Sequence, residues 1–185
     1  MTRIAVNLLS LVPGEVGGAE EYAVRTLAAY GRHGPAGLRP VIYLSQAALD
    51  AHPDLGRAFD VEVHPGDGRS RLRRILAEST WLARRTNSMA VHHFGGRIPA
   101  RSGKPVAVTV HDLQPLDQPL NFSLIKRRYL GWALPRSVRR ADLVVAIGDH
   151  VGRQVVERLG VDPGRVVIVP IGAEAVAAGP ADPSD

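Results

Sequence analysis

Short runs that are apolar from end to end, separated by stretches of helical periodicity, set the limits on this fold. The runs are "RIAVNLL" (3–9), "PVIYL" (40–44), "SMAVHH" (88–93), "PVAVTVH" (105–111), "DLVVAI" (142–147) and "RVVIVP" (165–170), with a further strand near "FDVEVH" (59–64). A strand that is apolar on both faces must be covered on both faces, which is the pattern of a parallel sheet between two helix layers. Helical spacing fills the gaps at 19–32, 69–85, 122–140 and 149–159, with a short helix through "QAALDAH". In the 69–85 segment Leu72, Ile75, Leu76, Ser79, Leu82 and Ala83 form one stripe, and the arginines lie mostly outside it. The expected fold is α/β, a doubly wound, mostly parallel Rossmann-like sheet.

A chain of 185 residues, 45% of them hydrophobic, is enough for one domain with a sizeable core. That domain is expected over 1–173. Residues 174–185 lose all periodicity and read as linker or disordered tail. The formal charge of +5, carried almost wholly by arginine, favours anionic partners such as nucleotide diphosphates or lipid headgroups. Nucleic acid is disfavoured, because no stacking platform or recognition motif accompanies the charge. Without cysteine there are no disulfides and no thiolate metal sites, and no metal or cofactor is expected. No signal peptide or membrane-length apolar run is evident, so the default compartment is the cytoplasm.

Ligands of open parallel sheets bind beyond the carboxyl ends of the strands. Polar and glycine-rich residues gather there. Gly17 and Gly18 precede a helix whose first turn carries Glu20 and Glu21. Such a loop can turn backbone N–H groups and a helix dipole toward a diphosphate, or it can be a flexible turn with dipole-complementing carboxylates. His92 and His93 end one strand, where they serve either as ligand contacts or as buried histidines. Adjacent strand residues point to opposite faces, so the two are poorly placed to share a metal. His111 and Asp112 end another strand, where a histidine suits hydrogen bonding or proton exchange and Asp112 either orients it or caps the turn. The basic set Lys126, Arg127, Arg128, Arg136, Arg139 and Arg140, with Phe122, Tyr129 and Trp132 nearby, is either a solvated helix face or a peripheral contact with an anionic membrane inner face.

Five segments in order, "GGAEEYAVRTLAAYG", "AVHHFGG", "VTVHDLQPL", "LPRSVRRADLVVAI" and "LGVDPGRVVIVPIGA", resemble the N-terminal half of the retaining family 4 glycosyltransferases. The resemblance covers roughly residues 3–173. It implies one half of a two-domain GT-B fold, in which this half holds a hydroxylated glycan or lipid acceptor. The other half holds most of a nucleotide-sugar donor. It further implies that Gly17 and Gly18 lie against the donor diphosphate and that His111 lies near the reacting sugar. Glu20, Glu21, His93 and Asp112 fall on the acceptor side without an assigned role.

The sequence departs from the family pattern in two places. Gly148 stands where serine is common, which puts a hydroxyl contact or helix cap in question. The paired glutamates of the family's second half have no counterpart, and that half is missing from this sequence. The resemblance thus implies the acceptor-binding half of a sugar-transferring enzyme, inactive alone. The competing readings are a stand-alone glycan or lipid-headgroup binding module or partner subunit, and half of a sugar-nucleotide epimerase.

Overall fold

The structure is a computed structural model that describes residues 1–15, 17–66, 68–118, 120 and 123–170, with the side chains of all of these but 115, 125 and 126. The expected tail over 174–185 and the aromatic Phe122 lie outside the described residues. In chain order the elements are β1 (Thr2–Asn7), α1 (Gly18–His33), β2 (Leu38–Ser45), α2 (Gln46–Ala51), α3 (Pro53–Ala58) and β3 (Asp60–His64). Next come α4 (Arg71–Ala77), a π-helical segment (Glu78–Leu82), α5 (Ala83–Arg85), β4 (Ala90–His93), β5 (Val106–Val110) and α6 (Gln114–Asp117). α7 (Leu124–Arg140), β6 (Leu143–Ala146), α8 (Asp149–Leu159), a single 3-10 turn (Pro163–Arg165) and β7 (Val166–Ile168) complete the fold.

The strands form a seven-stranded sheet in the order β3-β2-β1-β4-β5-β6-β7, and every pairing is parallel. The expected double winding is visible in β2. Its residues alternate between faces, as the strand period of two requires. Ile42 and Leu44 pack with Tyr22, Ala23 and Leu27 of α1. Val41 and Tyr43 pack on the other side with Ala77 and Leu82. A third cluster joins Val108 and Val144 to Val138 of α7 and Val155 of α8. The order of strands reverses between β1 and β4, where Asn7 lies beside His93.

The 69–85 segment differs from its sequence reading. A uniform helix would bury Leu72 and Leu76, yet they are 75% and 61% exposed, while Ala77, Glu78 and Leu82 are buried. The π-helical turn over Glu78–Leu82 is the reason. One wide turn breaks the regular periodicity, so residues on either side no longer share a stripe. Pro135 lies inside α7 without ending it. The short α3 was not foreseen, and it starts on Pro53, a residue favoured at the first helical position.

These placements separate two leucines that the sequence treats alike. Leu82→Ala should cost about 2–5 kcal/mol of stability and Leu72→Ala less than about 0.5 kcal/mol. Urea unfolding of the two variants checks this, and equal losses would contradict the π-helical register.

Candidate active site

An open cavity of about 640 Å³ lies at the carboxyl edge of the sheet. It is flanked by the loops after β1 and β4, the end of β5, α4 and α7. Its position follows from the topology, because open parallel sheets bind ligands at the carboxyl edge where the strand order reverses, here between β1 and β4. Two glycines allow those loops to meet. A Cβ on Gly95 would fall 2.3 Å from Ser10 Oγ, and Gly96 has a φ of +68°. Only glycine accepts that contact and that backbone angle without strain.

His111 follows β5 directly and lines the cavity. Its Nε2–H donates to the Phe94 carbonyl at 2.9 Å, and the ring sits edge-on to Tyr22 at 5.4 Å between centroids. Tyr22 is itself anchored, its hydroxyl donating to the Val169 carbonyl. Burial lowers the His111 pKa, while the Phe94 carbonyl and Asp112 act in the opposite sense. The ring is therefore neutral near pH 7, and Nδ1 has no hydrogen-bond partner among the described residues. Asp112 also lines the cavity, but its Oδ1 accepts from the Gln114 backbone N–H at 2.9 Å. The turn-capping role of Asp112 is thus realised.

Arg69, Arg71, Arg74 and Arg97 line the cavity, against the carboxylates Glu15 and Asp112. Arg71 lies over the Tyr129 ring at 4.7 Å from its centroid. Arg74 donates to the Gly68 carbonyl at 2.8 Å. Arg97 forms an ion pair with Glu78, which is 2% exposed. Glu78 is held in turn by Asn7, whose Nδ2 donates to Glu78 Oε1 at 3.0 Å and lies 2.9 Å from His93 Nδ1. His93 Nε2 completes the chain, 2.9 Å from Ser102 Oγ. A buried network therefore runs from the β1–β4 junction to a guanidinium in the cleft.

The structure engages three expected site residues elsewhere. His93 is fully buried in that network and does not line the cavity, and its neighbour His92, on the opposite face of the strand, bonds Thr109 Oγ1 at 2.8 Å. Glu20 accepts from the Gly14 N–H at 3.0 Å and pairs with His52 at 2.7 Å, tying the loop to the helix layer. Glu21 pairs with Arg25 on the exposed side of α1. Gly17 caps α1 with a φ of +51°, which already favours glycine. Gly18 has no such angle, and a Cβ there would meet open space within this chain. Arg139 and Arg140 of the basic set bond carbonyls, at Leu159, Pro99 and Ala100, whereas Arg127 and Arg128 are exposed.

Sequence reasoning missed the cleft arginines and the Asn7–Glu78–Arg97 network. A lone glutamate within an arginine-rich helix was the available signal. Among the described residues no cluster of three or more potential metal ligands is present, and no helix is long and apolar enough to cross a membrane.

A seven-stranded, all-parallel Rossmann-like sheet with its cleft at the strand reversal defines the class of protein. The sequence profile of Glycosyltransferase Family 4 matches residues 16–175, and the chain belongs to that family. The likeness to solved structures is at low identity, and the shared fold rests on the Anabaena one. The Anabaena protein Alr3699/HepE, solved in complex with UDP and glucose, has 15% identity and a TM-score of 0.55, with 94% of this chain and 45% of that one covered. A glycosyltransferase from Rickettsia africae ESF-5 has 15% identity and a TM-score of 0.46, over 91% of this chain and 42% of that one. The lipopolysaccharide outer core galactosyltransferase WaaB in apo form has 10% identity and a TM-score of 0.47, over 92% and 45%. This chain thus spans under half the length of these solved structures. No match is found among curated protein sequences.

Two outcomes follow from the buried network. Glu78→Ala should lose about 3–5 kcal/mol, because Arg97 is left without its partner. Pairing it with Arg97→Met should recover part of the loss, as a double-mutant cycle by urea unfolding will measure. Burial lowers the His93 pKa from 6.5 to about 3. The unfolded chain therefore takes up a proton at this residue that the folded chain refuses. Stability should fall as pH drops from about 6.5 toward 3, by up to about 1.4 kcal/mol per pH unit. Urea midpoints against pH should show a shallower slope in His93→Gln.

Proposed function

We propose that this chain is the acceptor-binding half of a retaining glycosyltransferase that moves a sugar from a nucleotide sugar to a hydroxyl group. The observation that carries the reading is His111. It is a neutral imidazole fixed by the Phe94 carbonyl, with Nδ1 unpartnered among the described residues, in a cavity at the strand reversal of a family 4 fold. In that role Nδ1 accepts a hydrogen bond from a hydroxyl, and His111 acts as a positioning polar group beside the reacting sugar. The family affiliation and the UDP and glucose bound to HepE support a nucleotide-sugar donor. Gly17 and Gly18 would meet its diphosphate with backbone N–H groups at the start of α1, and open space beside Gly18 is compatible with a close approach.

The reaction needs the donor anchored from a facing wall, because N–H groups alone attract a solvated diphosphate weakly in high dielectric. On this reading the 185-residue chain by itself binds a nucleotide sugar no tighter than about millimolar and transfers nothing. Calorimetric titration with several nucleotide sugars tests that. Micromolar binding with transfer would show a complete enzyme, and binding of a glycan or lipid without transfer in any assembled form would favour a binding module.

In the complete enzyme, His111→Ala should lower kcat about a hundredfold or more while the fold is kept. Gly18→Val should impair donor use without destabilising the domain, since its side chain would obstruct only the diphosphate. Steady-state kinetics with circular dichroism checks both. Full activity in folded His111→Ala would make that histidine structural.

A further inference from the structure

We propose that the acceptor carries a phosphate group and that Arg71, Arg74 and Arg97 hold it in the cleft. This rests on the acceptor-side reading above and specifies the substrate class. These guanidiniums come from two separate places in the chain, α4 and the loop after β4, and converge on one cavity. Each is fixed by a neighbour. Tyr129 supports the face of Arg71, the Gly68 carbonyl holds one N–H of Arg74, and the buried Glu78 orients Arg97. Fixed guanidiniums lose less entropy on binding and match phosphate in a bidentate fork.

The charge is not cancelled where it converges. Glu78 offsets Arg97, and Glu15 acts on Arg74, but Arg71 has no carboxylate partner among the described residues. Burial lowers the pKa values of Arg74 and Arg97, and the Arg71 charge adds to the lowering of both. Like charges held together in a half-enclosed site favour an anion that relieves them. A neutral sugar acceptor would leave that repulsion in place. A phosphate monoester supplies the charge and the acceptor oxygens that the three guanidiniums require.

A soluble sugar phosphate and a phospholipid headgroup present the same chemistry. The helices that carry Arg71, Arg74 and Tyr129 also expose Leu72, Leu76 and Leu124 beside Arg73, Arg127 and Arg128. Such a mixed apolar and basic surface suits the edge of an anionic bilayer.

Binding by the 185-residue chain is read in two arms, without any sugar transfer, so the result stands apart from the transfer reaction itself. One arm titrates glucose 6-phosphate against glucose. The other measures sedimentation with phosphatidylcholine vesicles containing or lacking phosphatidic acid. The expected result is binding to the phosphorylated partner in at least one arm, weakened about tenfold or more in Arg71→Gln/Arg74→Gln, the loss expected for removed charge-assisted hydrogen bonds. Arg74→Lys should lose less, the exposed control Arg32→Gln in the last turn of α1 should change little, and Glu15→Gln should bind more tightly. Preference for the sugar phosphate assigns a soluble acceptor, and preference for the vesicles assigns a lipid. No phosphate-dependent binding in either arm overturns the proposal. So does phosphate-dependent binding that folded Arg71→Gln/Arg74→Gln retains in full.

Discussion

Asn7 and His93 lie side by side at the reversal of the sheet, and the cleft depends on how that buried pair is satisfied. A polar group enclosed among apolar strands is costly unless every partner is present. The Asn7 amide meets this demand through three contacts. It binds His93, it binds Glu78 of the π-helical segment, and its oxygen accepts the Leu9 N–H that starts the next loop. Glu78 then fixes Arg97. One side chain of β1 thus couples the strand junction, the helix layer and a charge in the cavity. Loosening any member would leave a buried charge or amide unpaired, so the unit is rigid by necessity.

Two opposed electrostatic conditions coexist around the cleft. The imidazoles of His92, His93 and His111 are all held toward the neutral form by burial. The guanidiniums remain cationic even where burial disfavours them. A ligand therefore meets permanent positive charge on the α4 side and an uncharged hydrogen-bonding ring on the β5 side. On the proposed acceptor-side reading, that division suits an acceptor with an anionic end and a hydroxyl end. It also means the His111 ring can accept a hydrogen bond from a hydroxyl at neutral pH, instead of competing with the arginines for the anion.

The fold was largely legible because its physics is local. End-to-end apolar strands such as "PVIYL" and "DLVVAI" admit only a sheet covered on both faces, and the helical stripes between them supply the covers. His111 was legible for the same reason, since a polar residue closing an apolar strand arrives at the ligand edge of such a sheet. The details that failed were non-local. The stripe through Leu72 and Leu76 was regular in sequence, but a buried Glu78 paired across the fold accompanies a π-helical turn. His93 read either as a ligand contact or as a buried histidine, and Asn7, far away in sequence, decided for the buried one. Glu20 stands in the first turn of α1 as the sequence implied, but its contacts with the Gly14 N–H and His52 could not be read from it.

The sequence by itself determined the layer architecture, the edge on which the cavity opens, the family and the residue at the end of β5. Apolar periodicity, turn glycines and motif order are properties of short segments, and they survive without knowledge of the partners. Only the tertiary structure decided which polar residues face the cavity. Burial, ion pairing and the direction of a guanidinium depend on groups brought together from distant parts of the chain. Arg71, Arg74 and Arg97 are three among many arginines in the sequence, and the approach of α4 and the loop after β4 to one cavity is what brings them together.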